Sequence, residues 1–220
     1  MGVNRQTQTK QSILDAALYL FHLKGFHATS IRDIAGKAQV NTANIAYYFK
    51  NKQGLLEYCF ISYFEEYVRV LDKNAADLEE KGAADCLLDM VYDILSFQRK
   101  NFLASSFIYG EVLLDSSLNR EIFSTYLMKE KYFFQLILEY GIEQNEFENI
   151  SVPMYILQLK GMLNAPIAHS QYAREVLHVF PQETYYTEKY AEQVSRFLQA
   201  TLFCPFNHEK KQDNHQLLLL

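Results

Sequence analysis

Tryptophan is absent from this 220-residue chain, proline occurs four times and glycine eight. So few helix breakers leave room for long, uninterrupted helices. Cysteine is scarce too: Cys59, Cys86 and Cys204 stand far apart, with no CxxC pair and no Cys/His metal spacing. That excludes a disulfide framework and leaves three packing thiols, as a reducing compartment allows. No apolar run reaches the ~18 residues of a membrane span. The opening MGVNRQTQTKQS has no apolar segment of the signal-peptide kind, so a cytoplasmic chain with no membrane partner is expected. Also missing are a nucleophile elbow, a Gly-rich phosphate loop, HExxH and any cluster of metal-binding types. The six histidines are scattered. No catalytic residue, metal ligand or cofactor is expected, and the chain does not read as an enzyme.

What is present begins with charge. The chain carries −5 overall, and 49% of its residues are hydrophobic, enough to bury a core in one or two domains. Residues 1–58 hold seven Lys/Arg against three Asp/Glu, leaving fourteen against twenty-three for the rest. A basic head on an acidic body suggests a head that faces a polyanion.

Apolar positions recur at helical spacing along the whole chain. Ile13, Leu14, Ala17, Leu18, Leu20 and Phe21 share one face from Ser12 onward, and Gly25 stops that helix. Thr29 or Ser30 caps a short second helix, with Asp33 completing a reduced capping box. Asn41 caps a third helix from Thr42 to Phe49, and Asn51 a fourth that starts near Gln53 and runs to about Leu78. Further helices are predicted over 84–99, 102–113, 117–144, 152–164, 169–178 and 184–203. Gly82, Gly141, Pro153, Pro166 and Pro181 mark the breaks. The fold class is all-α, with a head at 1–56, a helical body at 57–205 and a disordered tail at 206–220.

Two short helices joined by Gln39-Val40-Asn41 meet the needs of a helix-turn-helix. Ala35 and Ala38 allow close approach, while Ile34, Val40, Ile45 and Phe49 supply a shared core. That leaves Thr42, Ala43, Asn44, Ala46, Tyr47 and Tyr48 on the outer or lateral surface. Asn44 suits adenine N6/N7, and Thr42 or Ala43 suits a thymine methyl. Tyr47 and Tyr48 offer hydroxyls to phosphates, Lys52 offers a cation, and Thr29, Arg32 and Lys50 flank the same backbone. Each residue taken singly has a structural alternative: the tyrosines packing on the fourth helix, the lysines as solvated surface. Their order along the chain is what points to double-stranded DNA.

The run GFHATSIRDIAGKAQVNTANIAYYFKNKQGLL resembles the N-terminal DNA-binding domain of the TetR family, over roughly residues 8–56. Gly25-Phe26, Thr29, Ile34-Ala35, Ala38, Val40, Phe49, Lys52 and Leu55-Leu56 carry the likeness. Two positions depart: Gln39 stands where the turn usually has Gly, and Ala46 where an aromatic is common. The first implies a non-Gly residue in a strained conformation, the second an operator that relatives do not supply. The resemblance implies a homodimer on a palindromic site, joined through the last two long helices at about 152–166 and 184–203. Ile156, Leu159 and Leu163 lie on one stripe there, and Tyr190, Val194 and Phe197 on the other. Either stripe serves equally as monomer core.

In the body, FSTYLMKEKYFFQLILEYG and YILQLKGMLNAPIAHSQYAREVLHVFP are similar to a narrower branch, the TetR-like regulators of the division protein FtsZ in spore-forming Bacillus relatives. That likeness implies a nucleoid-associated dimer that restrains FtsZ assembly and places the division septum during sporulation. The alternative is a conventional ligand-responsive repressor, which predicts an inducer cavity inside the body. The sequence shows no convergence of polar groups that identifies an inducer, and the aromatic stripes of the body read as core.

Overall fold

The computed structural model describes residues 2–113 and 120–204, and the expected tail at 206–220 lies outside the described residues. Among the described residues the chain forms eleven helices and one isolated antiparallel bridge, Phe147 to Phe203. The all-α expectation holds.

Helix α1 runs Gly2–Lys24, starting well before Ser12. Nothing between Gly2 and Ser12 breaks a helix, and Ser12 Oγ donates to the Gln8 carbonyl 3.0 Å away, one turn back. Gly25 closes the helix at φ 80°, its N–H donating to the Phe21 carbonyl at 2.9 Å. Helices α2 (Ile31–Ala38) and α3 (Thr42–Phe49) follow as predicted, and α4 spans Lys52–Ala75. This fourth helix passes residue 56 without a break and buries Leu55, Leu56, Phe60, Phe64, Tyr67 and Leu71 along one face. It ends at Ala75, before the expected Leu78, and a single turn, α5 (Leu78–Lys81), leads to Gly82.

The most enclosed element is α6 (Ala83–Lys100), which packs against α4, α8, α9 and α11. The Glu146 carboxylate caps it, accepting from the N–H groups of Ala83 and Ala84 at 3.0 and 2.9 Å, where unpaired donors and the helix dipole favour an anion. Around it stand α7 (Phe102–Leu113), α8 (Arg120–Glu143), α9 (Val152–Ala168), α10 (Ser170–Glu175) and α11 (Thr184–Thr201). Helix α9 continues through Pro166, beyond its predicted end at 164. Proline costs a helix one N–H donor; the next turn still closes, from His169 N–H to the Ala165 carbonyl at 2.9 Å. No helix among the described residues is long and apolar enough to cross a membrane.

Candidate nucleic-acid interface and the cavity behind it

Local chemistry builds the α2–α3 pair. Ser30 Oγ accepts from the Asp33 N–H at 3.1 Å, and Asp33 Oδ2 accepts from the Ser30 N–H at 3.0 Å, a reciprocal capping box. Those hydrogen bonds from the Ser30 backbone and hydroxyl hold the Asp33 carboxyl below the usual carboxylate range. Gln39 takes the left-handed conformation (φ 56°, ψ 42°) that the missing glycine implied. With it, the Val40 N–H reaches the Ala35 carbonyl at 3.0 Å, which terminates α2 as a Schellman turn. Asn41 Oδ1 then accepts from the Ala43 N–H at 2.8 Å and starts α3. At the far end of α3, Lys50 sits at φ 65°, ψ −56°, and the Asn51 N–H reaches the Phe49 carbonyl at 2.8 Å, a γ-turn. Gly54 permits this corner, because a Cβ there would lie 2.3 Å from the Phe49 carbonyl oxygen.

Ile45 and Phe49 are buried, so α3 turns Thr42, Ala43, Ala46 and Tyr47 outward, with Asn44 and Tyr48 half-buried at the flank. Tyr47 is 75% exposed, and its ring meets that of Tyr48 edge-on at 5.0 Å. Arg32 and Lys50 are exposed beside them. Together they make the exposed or half-buried set of this unit.

Two expected DNA contacts do not belong to it. Thr29 is 1% exposed, and its hydroxyl is within 2.9 Å of the Gly25 carbonyl and 3.3 Å of the Leu20 carbonyl. It ties the end of α1 to the start of α2. Lys52 Nζ donates to the Phe26 and Thr29 carbonyls at 3.0 and 2.9 Å and lies 4.4 Å from the Phe26 ring centroid. Its charge is spent on carbonyls inside the head.

The dimer stripes need a correction of the same kind. Ile156, Leu159, Leu163 and Val194 are buried within the protomer, so they belong to its core. Tyr190 is half-buried and donates to the Met162 carbonyl at 2.8 Å. Phe197 is 42% exposed. The outward apolar residues on these helices are Met154 and Leu157 on α9, Tyr185 and Phe197 on α11.

Behind the head lies a cavity of about 340 Å³ among α4, α6, α7, α8 and α9, within the ordinary size range of ligand sites. Its apolar wall includes Phe64, Ile108, Val112, Leu127, Leu157 and Ile167. Its polar groups converge from five helices. Tyr63 and Ser105 hydroxyls pair at 2.9 Å. Tyr67 donates to Glu130 Oε1 at 2.6 Å, and Lys160 pairs with Glu130 Oε2. Burial, and then the Glu130 charge, push the Tyr67 phenol well above its ordinary range, which keeps it a donor. Gln98 donates to Asn164 Oδ1 at 3.3 Å, while its own Oε1 is buried without a partner. The sequence concealed this set because its members lie far apart along the chain. Among the described residues no group of three or more His, Cys, Asp or Glu could hold a metal ion.

Residues 13–59 match the family described as bacterial regulatory proteins, tetR family. YttP of Bacillus subtilis (strain 168), named a probable HTH-type transcriptional regulator, is 43% identical over 195 residues, 89% of this chain and 94% of that protein. IcaR of Staphylococcus aureus, named a negative transcriptional regulator of the biofilm operon icaADBC, is 28% identical over 131 residues, 53% of this chain and 69% of its own. Among solved structures, PfmR, a TetR family transcriptional regulator of Thermus thermophilus, superposes with a TM-score of 0.72 at 21% identity. That match covers 86% of this chain and 97% of PfmR, and the likeness is one of fold.

Proposed function

Because this chain belongs to the TetR family of DNA-binding regulatory proteins, we propose that it is a dimeric, ligand-responsive transcriptional repressor of the cytoplasm. Two copies of the α2–α3 unit grip a two-fold DNA site, and a small molecule in the body cavity releases it. One observation carries this reading. Helix α4 is tied to the head at its first residue, where Lys52 binds the Phe26 and Thr29 carbonyls, and about three turns on it lines the cavity with Tyr63, Phe64 and Tyr67. A ligand that displaces α4 at the cavity therefore moves the element on which the head is mounted. Ring contacts join the same two regions: Phe26 to Phe21 at 5.3 Å, Phe21 to Phe107 at 5.4 Å, and Phe107 on α7 to Phe60 on α4 at 6.1 Å.

Base reading falls to Thr42, Ala43 and Asn44 at the start of α3, and phosphate contacts to Tyr47, Tyr48, Lys50 and Arg32. The exposed Met154, Leu157, Tyr185 and Phe197 support pairing through α9 and α11, with Phe197 kept from the sequence reading. A two-fold dimer is what a two-fold site requires.

Control of FtsZ and septum placement during sporulation rests on the resemblance of the body segments alone. The named relatives are described as transcriptional regulators, and the polar-lined cavity favours a ligand. The test recovers genomic fragments bound by the full chain, maps them, and follows their release by fluorescence anisotropy as fractionated cell extract is added. Fragments at a few promoters, released by a small-molecule fraction, support the repressor. Fragments away from promoters, with purified FtsZ assembly suppressed in their presence, would replace it with the division regulator.

A further inference from the structure

Resting on the ligand-responsive reading, we infer that the cavity takes an organic cation, a protonated amine carried on an apolar or aromatic skeleton. Glu130 is the buried charge, its side chain 8% exposed, while its partner Lys160 is 30% exposed. A flexible lysine at the rim can turn its ammonium into water and stay solvated. The carboxylate cannot follow. A cationic ligand can therefore replace Lys160 on Glu130, with the Tyr67 hydrogen bond still in place and the buried charge still paired. An anionic ligand would add a second negative charge beside buried Glu130 and compete with it for the Lys160 ammonium, an arrangement that protein interiors tolerate poorly.

Two further features agree. Gln98 is 7% exposed, and its Oε1 accepts from nothing. With Gln98 Nε2 engaged on Asn164, the open Oε1 wants an N–H donor. Tyr63, Phe64, Tyr67 and Tyr109 add aromatic rings to the lining, and ring faces attract cations.

The experiment uses the full chain and three probes of one skeleton: 4-phenylbutylamine, 4-phenylbutanol and 4-phenylbutyrate. Binding is read by calorimetry, and DNA affinity by anisotropy on a fragment the protein itself selected. The amine should bind roughly tenfold tighter than the alcohol, the margin of a charge-assisted over a neutral hydrogen bond. The carboxylate should bind more weakly still. Glu130→Gln keeps an acceptor for Tyr67 and Lys160, so it should fold, with its circular dichroism as the check, and the preference for amine should vanish. Lys160→Met removes the competing ammonium and should tighten the amine several-fold. A carboxylate that outbinds the amine, an amine preference that survives Glu130→Gln, or no binding by any probe overturns the proposal. If the amine binds as expected and DNA affinity does not change, the ligand class stands and the ligand-responsive reading falls. If another compound releases the DNA while the amine does not bind, the ligand class falls and that reading stands.

Discussion

Lys52 Nζ lies 2.9 Å from the carbonyl oxygen of Thr29. With its second bond to Phe26, the first residue of α4 fastens the loop between α1 and α2. Two carbonyls that face inward are satisfied by one cation, and Thr29 meanwhile binds the end of α1 through its hydroxyl. The head is thus pinned to α4 by side chains that a sequence motif would send to DNA.

Replacing Lys52 by Met keeps the stem and removes the donor. Charge-assisted hydrogen bonds contribute about 1.5–3 kcal/mol each, and the half-buried position reduces that, so a loss of roughly 2 kcal/mol in urea unfolding is expected. The salt dependence of DNA binding should not change. A slope shallower by about one, with stability intact, would return Lys52 to the phosphate contacts.

Gln39 holds a left-handed conformation that costs a residue with a Cβ about 1–2 kcal/mol. Gln39→Gly removes that strain, and the flexibility of glycine in the unfolded chain takes back part of the gain. The head should become more stable by about 0.5–1 kcal/mol, read as a rise in melting temperature. A fall would show that the exposed Gln39 side chain contributes more than its backbone costs.

The helix-turn-helix was legible because its signals are local. Ser30 with Asp33, Asn41, Gly25 and the i, i+4 pair Ile45/Phe49 each act within one turn of where they stand. Thr29 and Lys52 were misread because a sequence shows a polar group but not whether the fold has already satisfied it. The stripes of α9 and α11 were half legible. Periodicity finds an apolar face, yet each helix carries a second one: Ile156, Leu159 and Leu163 point into the protomer, Met154 and Leu157 away from it. The cavity was illegible because Gln98, Ser105, Glu130, Lys160 and Asn164 come from four helices and meet only through packing.

That difference between faces separates two variants. Phe197→Asp places a charge on the outward face of α11 and should yield monomers in sedimentation velocity while the protomer keeps its helicity. Leu159→Ala empties core volume and should cost about 2–5 kcal/mol without changing the oligomeric state below the unfolding transition. A dimer of unchanged affinity in Phe197→Asp would move the contact off α11.

Asn44 and Tyr47 should fail differently on DNA. Asn44→Ala should cost about 1–3 kcal/mol on the preferred site and little on other sequences, relaxing specificity. Tyr47→Ala should weaken binding to all sequences alike. Equal losses on every DNA for Asn44→Ala would remove it from the base-reading set.

Alkaline pH tests the buried array around Glu130. The Tyr67 phenol is raised well above its ordinary 10.0 by burial and by the Glu130 charge, and burial raises Tyr63 as well. A group whose folded value is raised contributes stability that is whole below its unfolded value and is lost as pH rises through the folded one. Above pH 10 the unfolded phenols ionise and the folded ones do not, so stability should fall there beyond what exposed groups cause. Tyr67→Phe loses a hydrogen bond to a carboxylate, about 1.5–3 kcal/mol, and begins less stable at neutral pH. With no phenol to ionise at this position, its stability should fall less steeply above pH 10, and the gap to the parent chain should narrow. Phenolate absorbance from these two residues should appear only as the protein unfolds. Parallel stability curves from pH 7 to 11 would mean that Tyr67 ionises as easily folded as unfolded, and that the array is open to water.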